Sequence, residues 1–285
     1  MAGVWRCGRY ALALERTLVM GIVNVTPDSF SDGGDHATAE AAVEHGLRLV
    51  EEGADILDVG GESTRPGSEE VPPEVEAARV LPVIERLARE AGAPISVDTR
   101  HAEVARAALD AGASIVNDVS GFRDPAMVEV AAASDAGLVV MHMLGEPKTM
   151  QADPRYGDVV AEVSAFLAER AEALKAAGVE ADRICIDPGI GFGKTLEHNL
   201  ALLRALPQLG ELGYPVLVGA SRKRMIGDIT GETEPKRRLG GGVAVAVWAA
   251  AHGAAIVRVH EVRETRQAVA VWAALAGEEP SGGVA

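Results

Sequence analysis

Eight short apolar runs, each followed by a segment with helical periodicity, restrict the possible folds of this chain more than any other feature. The runs are rich in valine, isoleucine and leucine, and they cover residues 17–25, 54–61, 94–99, 114–119, 137–143, 183–188, 215–221 and 254–260. Strands that alternate with helices usually pair in parallel. Eight such units in 285 residues match a (β/α)8 barrel, which typically takes about 250 residues, better than an open sheet. We therefore predict an α/β protein built as a single-domain (β/α)8 TIM barrel, with an open Rossmann-like sheet as the alternative.

The barrel is expected to occupy residues 17–277. Residues 1–16 precede the first apolar run and form an N-terminal extension, and residues 278–285, EEPSGGVA, have the composition of a disordered tail. Two cysteines do not imply a disulfide framework. The first residues contain no clean apolar stretch with a small-residue cleavage site, so we expect a cytoplasmic protein.

The overall charge limits the kinds of partner. The chain carries a formal net charge of −15, whereas nucleic acids and anionic membranes attract basic faces. Its longest apolar segment, residues 243–257, is interrupted by His252 and Gly253 and is too short and too rich in alanine to span a membrane. We therefore expect small-molecule substrates and no nucleic-acid or membrane partner. An anionic substrate needs a local basic pocket.

Polar side chains follow the apolar runs, at the positions where the strands of a barrel end. Active sites of such barrels lie at the C-terminal ends of the strands. The polar residues found there are Asn24, Glu62, Asp98, Asn117, Asp118, His142, Asp187, Ser221, Arg222, Lys223, Arg258 and His260. Any one of them could cap a helix or a turn. Burying so many polar groups around one axis is costly unless a ligand uses them, which predicts a binding pocket.

The residue types in this predicted pocket favour a planar polar heterocycle. Carboxylates such as those of Asp98 and Asp187 accept hydrogen bonds from ring N–H and amino groups. The amide of Asn117 both donates and accepts, and the ammonium of Lys223 donates to a carbonyl or a ring nitrogen. An all-protein zinc site is disfavoured, because the chain has no H-x-H and no H-E-x-x-H sequence. A Schiff-base reaction at Lys223 is a second, minor alternative.

A separate group of residues suits an anionic part of the ligand. Arg258 and His260 lie in the last run, where basic residues suit a phosphate group. Asn24 ends the first strand, and together with Asp32 in the following loop it suits a Mg²⁺ ion that keeps water and phosphate ligands. The sequence therefore predicts an anion and Mg²⁺ beside the heterocycle.

Two loops at the same end of the predicted barrel are unusually long. They are NVTPDSFSDGGDH after the first run and GGESTRPGSEEVPPE after the second, and both are longer than typical β–α connections. Their glycine, proline, serine and aspartate content is typical of turns. Phe30 and Arg65 are unusual residues for passive turns, so we expect both loops to act as mobile lids over the substrate.

The stretch DPGIGFGKT, residues 187–195, comes close to a phosphate-binding P-loop. The pattern G-x-x-x-x-G-K-[ST] requires glycine at position 188, where this chain has proline. Proline has no N–H and fixes φ near about −65°, so it cannot cradle a phosphate. Asp187 would also repel an anion. We therefore predict that the stretch is not a nucleotide site, and that Lys194 and Thr195 begin the next helix without a catalytic role.

Nearly the whole chain carries motifs whose order is found in one protein family. From about Leu18 to the last run, these motifs are MGIVNVTPDSFSDGG, DVGGESTRPG, SVDT, VNDVSG, MHMLGEPKTMQ, DPGIGFGKT, VGASRK and RVH. In this order they resemble the dihydropteroate synthases of folate biosynthesis. The resemblance implies a transferase that condenses 6-hydroxymethyl-7,8-dihydropterin pyrophosphate with p-aminobenzoate, with Mg²⁺ as cofactor. It also implies a dissociative mechanism, in which pyrophosphate leaves before the arylamine attacks.

The resemblance further implies a role for individual residues. The residues expected to contact the pterin are Asp98, Asn117, Asp187, Lys223, Met141 and Ile22. Those expected to contact pyrophosphate are Asn24, Arg258 and His260, and those expected to bind Mg²⁺ are Asn24 and Asp32. Those expected to contact p-aminobenzoate are Phe30, Ser63, Thr64, Arg65, Pro66, Phe192, Lys223 and Ser221. The residues implied as catalytic are Lys223, Asp98, Arg258 and His260.

Two alternatives share parts of this pattern. A corrinoid-linked, methyltetrahydrofolate-dependent methyltransferase has the same pterin-binding barrel, and so does a pterin-binding paralogue without turnover. Both predicted lid motifs are intact in this sequence, which favours an active synthase. The resemblance also implies a homodimer formed through late helices. The apolar segments 242–253 and 268–277 suit that role, although packing against the barrel explains them equally well.

Overall fold

The computed structural model describes residues 3–25, 35–62, 70–146 and 148–277, and in these ranges eight parallel strands form a nearly closed barrel behind a short hairpin. The strands are β1 (Val4–Cys7), β2 (Tyr10–Ala13), β3 (Leu18–Asn24), β4 (Ile56–Gly60), β5 (Ile95–Asp98), β6 (Ile115–Asp118), β7 (Gly137–Met141), β8 (Ile184–Asp187), β9 (Leu217–Val218) and β10 (Ile256–Val259). The barrel order is β8-β7-β6-β5-β4-β3-β10-β9, and a parallel bridge between Ile186 and Val216 joins its two ends. Each predicted run contains one barrel strand. The predicted barrel is confirmed, and the open Rossmann-like sheet is wrong.

Helices follow the barrel strands and cover the outside. They are α1 (Asp35–Glu51), α2 (Pro73–Glu90), α3 (Ala102–Asp110), α4 (Pro125–Ala133), α5 (Val159–Ala176), α6 (Leu196–Arg204), α7 (Leu206–Gly210), α8 (Arg224–Thr230), α9 (Leu239–Ala251) and α10 (Val262–Ala276). Side-chain caps start several of them: Asp124 caps α4 and Asp158 caps α5. The short helices α7 and α8 are not predicted by the sequence periodicity. Among the described residues, no helix combines the length and apolar character needed to cross a membrane.

Side chains of each barrel strand alternate between the helix layer and the barrel interior. On β4, for example, Leu57 and Val59 belong to the large outer core, whereas Ile56 belongs to a separate interior cluster. On seven strands the interior residues of the lower level are apolar: Met20, Ile56, Ile115, Val139, Cys185, Leu217 and Ile256. Strand β5 contributes the buried Ser96, which pairs in register with Ile115. The residues two positions further along six of these strands form an upper level: Ile22, Asp58, Asn117, Met141, Asp187 and Arg258. The barrel interior therefore changes from apolar to polar toward the C-terminal ends of its strands.

The hairpin of β1 and β2 packs against the lower level of the barrel. Trp5 is fully buried, and its indole Nε1 donates to the carbonyl oxygen of Arg183 at 2.9 Å. Cys7 packs against Gly137 so closely that a Cβ atom there would lie 2.4 Å from Sγ, which explains the glycine at the start of β7. The sequence predicted only an N-terminal extension here. The structure shows that the extension supplies part of the interior cluster.

Candidate active site

Several predicted site residues meet at the upper level of the barrel interior. Strand register places Asp98 beside Asn117, and Met141 beside Asp187. Asn117 is 4% exposed and Asp187 is 6% exposed. Polar groups that are buried to this degree require partners, either from the protein or from a ligand.

One network of ion pairs and hydrogen bonds joins four strands at this level. Arg258 on β10 donates from Nε to Oδ2 of Asp58 on β4 at 2.6 Å, and its Nη2 lies 2.6 Å from the same oxygen as an ion-pair contact. The same Nη2 donates to Oδ2 of Asp98 on β5 at 2.7 Å. On β6, Nδ2 of Asn117 lies 3.3 and 3.4 Å from the two oxygens of Asp58. The network fixes three predicted site residues relative to one another.

The second oxygen of Asp98 has a different environment. Oδ1 is buried and has no hydrogen-bond partner within the described residues. Burial raises the pKa of Asp98 to about 7, the guanidinium of Arg258 opposes that rise, and the carboxylate of Asp58 adds to it. A buried acceptor without a partner marks a place where a ligand can donate a hydrogen bond.

Asp58 is a site residue that the sequence did not identify. Its side chain is completely buried, and it binds two predicted site residues. The available signal was a carboxylate inside the apolar run ILDVGG, on the same strand face as Ile56. The rule that polar residues matter at strand ends pointed to Glu62 instead. Glu62 lies beyond β4, where it binds the guanidinium of Arg100 at 3.3 and 3.4 Å.

The loop after β8 presents Asp187 and the ring of Phe192 to Lys223. Oδ1 of Asp187 accepts from the backbone N–H of Gly189 at 2.7 Å. The ammonium of Lys223 donates to the carbonyl oxygen of Ile190 and lies 4.4 Å from the centre of the Phe192 ring. Burial raises the pKa of Asp187 and lowers that of Lys223 to about 8, while each charge favours ionisation of the other. Lys223 therefore stays mainly cationic at pH 7.

Backbone N–H groups of this loop are used inside the protein. Gly191 donates to Oδ1 of Asn199 at 2.7 Å, and Thr195 donates to Nδ1 of His198 at 3.2 Å. The hydroxyl of Thr195 in turn accepts from the backbone N–H of His198, so the two residues form a capping box at the start of α6. A phosphate cradle needs such N–H groups directed at the ligand. The hydrogen bonding supports the prediction that this loop is not a nucleotide site.

Lys194 has a structural position that the sequence did not indicate. It is 3% exposed, and its ammonium contacts Nδ1 of His142 at 2.9 Å and the carbonyl oxygen of Phe192 at 3.0 Å. Burial lowers the pKa of Lys194 to about 7 and, together with the charge of Lys194, lowers that of His142 to about 3. Lys194 therefore ties the loop after β8 to the end of β7.

Ser221 connects the loops that follow β9 and β10. Its Oγ lies 2.9 Å from Nδ1 of His260 and donates to Oε2 of Glu261 at 3.1 Å. Glu261 is held in turn by Nε of Arg222 at 2.6 Å. Ser221 and His260 were predicted to contact different substrates, and the structure makes them direct neighbours. Asn24, at the end of β3, pairs in register with Gly60.

Apolar side chains form one wall beside the polar residues. Met141 is 3% exposed and packs in a cluster with Val119, Met143 and Met150, against which the ring of Phe192 lies. Ile22 is 5% exposed and belongs to the same interior level. The predicted apolar contacts therefore occupy suitable positions. The remaining predicted contacts lie outside the described residues: Phe30, Asp32, Ser63, Thr64, Arg65 and Pro66.

A group of possible metal ligands lies outside this pocket. Ligand atoms of Glu62, Glu76 and His101 fall within 4.8 Å of one another. Nδ1 of His101 and Oε2 of Glu76 already form a hydrogen bond of 2.7 Å. Arg100 places its positive charge directly against Glu62 and also binds Glu70 at 2.9 Å. Arg100 compensates the charge of Glu62, and the contact between Glu76 and His101 uses one ligand atom of each, so the group is better explained as a hydrogen-bonded network than as a cation site.

Comparison with known proteins finds close relatives of this chain. A family model described as pterin binding enzyme matches residues 20–260. The chain is 51% identical over 276 residues to the dihydropteroate synthase of Neisseria meningitidis serogroup C, a match that covers 95% of this chain and 97% of that protein. The dihydropteroate synthase of Xanthomonas albilineans with 4-aminobenzoic acid has a TM-score of 0.92 and 52% identity, over 97% of this chain and 99% of that one. The X. albilineans enzyme in complex with 7,8-dihydropteroate has a TM-score of 0.88 and 51% identity, over 96% and 98% of the two chains.

Proposed function

The chain belongs to the dihydropteroate synthase family, and from this membership we propose how its own residues carry out the reaction. The enzyme condenses 6-hydroxymethyl-7,8-dihydropterin pyrophosphate with p-aminobenzoate to give 7,8-dihydropteroate and pyrophosphate. Its substrates are therefore small molecules. The two alternatives, a methyltransferase and a pterin-binding protein without turnover, find no support among these relatives.

The pterin binds, in our proposal, at the upper level of the barrel interior. The observation that carries this assignment is Oδ1 of Asp98, a buried carboxylate oxygen without a hydrogen-bond partner within the described residues. The polar edge of a pterin carries amino and ring N–H donors that satisfy such an acceptor. Asp187 offers a second carboxylate on β8, and Asn117 offers an amide oxygen on β6. Lys223 supplies the donor for the pterin carbonyl, and Ile22 and Met141 contact the ring.

The pyrophosphate group lies, in the same proposal, beside the adjacent strands β3 and β10. Asn24 ends β3, and Arg258 and His260 come from β10 and the position after it. Because carboxylates hold Nε and Nη2 of Arg258, we assign Nη1 to the phosphate oxygens. The amide oxygen of Asn24 and the carboxylate of Asp32 are hard ligands of the type that Mg²⁺ takes. When bound, Mg²⁺ neutralises negative charge on the pyrophosphate.

We assign p-aminobenzoate to the side of Lys223 that is further from the barrel interior. Phe192 lies over the ammonium of Lys223, and its ring can stack on a second aromatic ring. Ser221 is the polar neighbour on the β9 side. The remaining contacts in this proposal are Phe30, Ser63, Thr64, Arg65 and Pro66. A guanidinium such as that of Arg65 suits a carboxylate.

The reaction needs no covalent bond to the protein. The bond between the pterin methylene carbon and the pyrophosphate oxygen breaks first, and its electron pair leaves with pyrophosphate. The methylene cation is conjugated with the pterin, where the carboxylates of Asp98 and Asp187 stabilise positive charge. The amine nitrogen of p-aminobenzoate then forms the C–N bond and releases its proton to water. The apolar wall favours this product, because water at the cation would give the pterin alcohol instead.

Pyrophosphate release that depends on p-aminobenzoate tests this function. We expect the wild-type enzyme to show it, and we expect Asp187→Ala to weaken pterin pyrophosphate binding by on the order of 2 kcal/mol, about 30-fold. Asp182→Ala is the matched control, since that carboxylate is about half exposed and pairs with Arg6 at 3.7 Å, beside the hairpin. Pterin binding without turnover would exclude a synthase. Unchanged affinity in Asp187→Ala would contradict the pterin assignment alone.

We further propose a homodimer that covers one face of α9 and α10. Exposed apolar side chains on α10 include Val271, 60% exposed, and Leu275, 83% exposed. Val271 and Leu275 also line a groove of about 510 Å³ together with Trp272. Contiguous exposed apolar surface of this kind marks protein interfaces. Light scattering is expected to show a dimer for the wild type and a monomer for Val271→Glu.

The proposed location of the enzyme is the cytoplasm. Both cysteines, Cys7 and Cys185, are free thiols buried in the same interior cluster. Free buried thiols suit a reducing compartment. Fractionation of cells that express the protein at its natural level is the test, and enrichment in a membrane or secreted fraction would contradict the proposal.

A further inference from the structure

We propose that Asp58 is a positioning residue of the pterin pyrophosphate site, which directs the guanidinium of Arg258 at the pyrophosphate and the amide of Asn117 at the pterin. The inference rests on the assignment of the pterin to this pocket. Asp58 is completely buried and occupies the upper interior level on β4, between the strands that carry its two partners. No role is implied for it by the strand-end pattern or by the motifs.

Asp58 has the surroundings of a charged carboxylate. A carboxylate with no exposed surface is stable only when it is paired and hydrogen-bonded. Arg258 supplies two short contacts to Oδ2, both at 2.6 Å, and Asn117 approaches both oxygens. These donors are those expected for an ionised carboxylate, which can only accept. Asp58 therefore provides a fixed acceptor for both residues.

Asp58 also restricts the orientation of Arg258. A guanidinium is planar, and its N–H groups point in fixed directions. Oδ2 of Asp58 contacts both Nε and Nη2 of Arg258, and Oδ2 of Asp98 accepts a hydrogen bond from Nη2 at 2.7 Å. Two carboxylates on neighbouring strands thereby define the plane of the group. Without Asp58, the Nε edge loses its acceptor and the guanidinium can rotate toward Asp98 or the ligand.

The amide of Asn117 has two ends with opposite hydrogen-bonding character. Its Nδ2 donates to Asp58, so Oδ1 is the end that remains for the ligand. An acceptor at this point suits the amino and N–H donors of a pterin. Asparagine at position 58 would offer an NH2 donor group on one side and an acceptor oxygen on the other, and it would permit either orientation of the Asn117 amide.

The same geometry affects the charge of Asp98. The charged groups that act on it include Arg258 from β10, Asp58 from β4, Glu76 from α2, Glu62 after β4 and Lys223 before α8. Arg258 and Lys223 favour the ionised form of Asp98, and the three carboxylates oppose it. Loss of the negative charge at position 58 should therefore lower the pKa of Asp98 from its value of about 7.

The experiment compares Asp58→Asn with Ser96→Ala. Ser96 is the register partner of Asp58, it is equally buried, and its Oγ has no hydrogen-bond partner in the described part of the chain. Affinity for 7,8-dihydropteroate is measured by calorimetry across pH 5.5–8.5. We expect Asp58→Asn to bind about 10- to 100-fold more weakly at pH 8. We also expect its pH midpoint to move below that of the wild type, while Ser96→Ala leaves both quantities unchanged.

A folded Asp58→Asn variant with wild-type affinity and pH midpoint would overturn the proposal. If that variant does not fold, the double variant Asp58→Asn/Arg258→Gln replaces the buried pair with neutral groups of similar size. It is expected to bind several-fold more weakly than Arg258→Gln alone, because Asn117 has lost its fixed acceptor. Equal binding of these two would also overturn the inference. Failure of the wild-type protein to bind dihydropteroate would instead contradict the pterin assignment itself.

Discussion

A methyl group added at Gly189 should disturb the pocket more than its size suggests. Gly189 has φ of +67°, and a Cβ atom there would lie 1.9 Å from the backbone carbonyl oxygen of His142. A left-handed conformation costs a residue other than glycine about 1–2 kcal/mol. Overpacking in a dense region costs about 1–3 kcal/mol more, and here the obstacle is backbone that cannot rotate away. We therefore expect Gly189→Ala to lower the free energy of unfolding by about 2–5 kcal/mol.

Gly92 provides a control with almost the same backbone conformation. Its φ is +66°, and no atom lies within 4 Å of the position that a Cβ would occupy. Gly92→Ala should therefore lose only the conformational part, about 1–2 kcal/mol. Urea denaturation of both variants measures the difference, which is the cost of the contact with His142. Equal unfolding free energies would refute the argument from close approach.

Gly189→Ala should also reduce the affinity of the pocket for its ligand. The N–H of Gly189 holds Oδ1 of Asp187 at 2.7 Å, and the next carbonyl, that of Ile190, accepts from Lys223. A shift of the backbone at Gly189 moves both proposed pterin contacts. We expect Gly189→Ala to bind 7,8-dihydropteroate at least 10-fold more weakly, by about 1.4 kcal/mol, whereas Gly92→Ala binds like the wild type. A destabilised Gly189→Ala variant with full affinity would separate the loop conformation from ligand binding.

Three further predictions concern the surroundings of the pocket. Lys194→Met should lower the free energy of unfolding by about 1–3 kcal/mol, because it leaves buried acceptors unpaired. Lys175→Met, at an exposed lysine, should change the free energy of unfolding by less than about 0.5 kcal/mol. Equal losses in urea denaturation would contradict this prediction. The pKa of His142 falls from 6.5 to about 3 on folding, so protonation favours the unfolded chain below pH 6.5. Relative to His142→Gln, the wild type should lose about 1.4 kcal/mol per pH unit between pH 6 and pH 4, and parallel stability curves would exclude the shift. Arg65→Ala should raise the KM for p-aminobenzoate far more than that for pterin pyrophosphate, and steady-state kinetics with equal losses for both would contradict the assignment.

The barrel could be predicted because each strand carries its signal locally. Apolar runs and helical segments alternate eight times, and every run contains a barrel strand. The hairpin of β1 and β2 could not be predicted in the same way. Its strands have four residues each, and Arg6 interrupts the apolar pattern of β1. The burial of Trp5 depends on the lower end of the barrel, a contact between residues that are distant in sequence.

The expectation that site residues lie at the ends of the strands identified much of the pocket but missed Asp58. It identified Asp98, Asn117 and Asp187, which lie at or next to the last residue of their strands. Barrel strands are staggered, so residues at one height differ in their distance from the strand end. Asp58 lies two residues before the end of β4 and still reaches Arg258. Height in a barrel depends on register between strands, which a single sequence does not display.

Local charge balance was the other property that the sequence could not show. An anionic substrate suggested a basic pocket within an acidic chain, but carboxylates accompany the two cations proposed to contact the substrate: Arg258 binds Asp58 and Asp98, and Asp187 acts on Lys223. Buried charges are stable only in such combinations. Excess positive charge therefore cannot explain recognition. Recognition depends on the directions in which single donors and acceptors point, and those directions are set by partners on other strands.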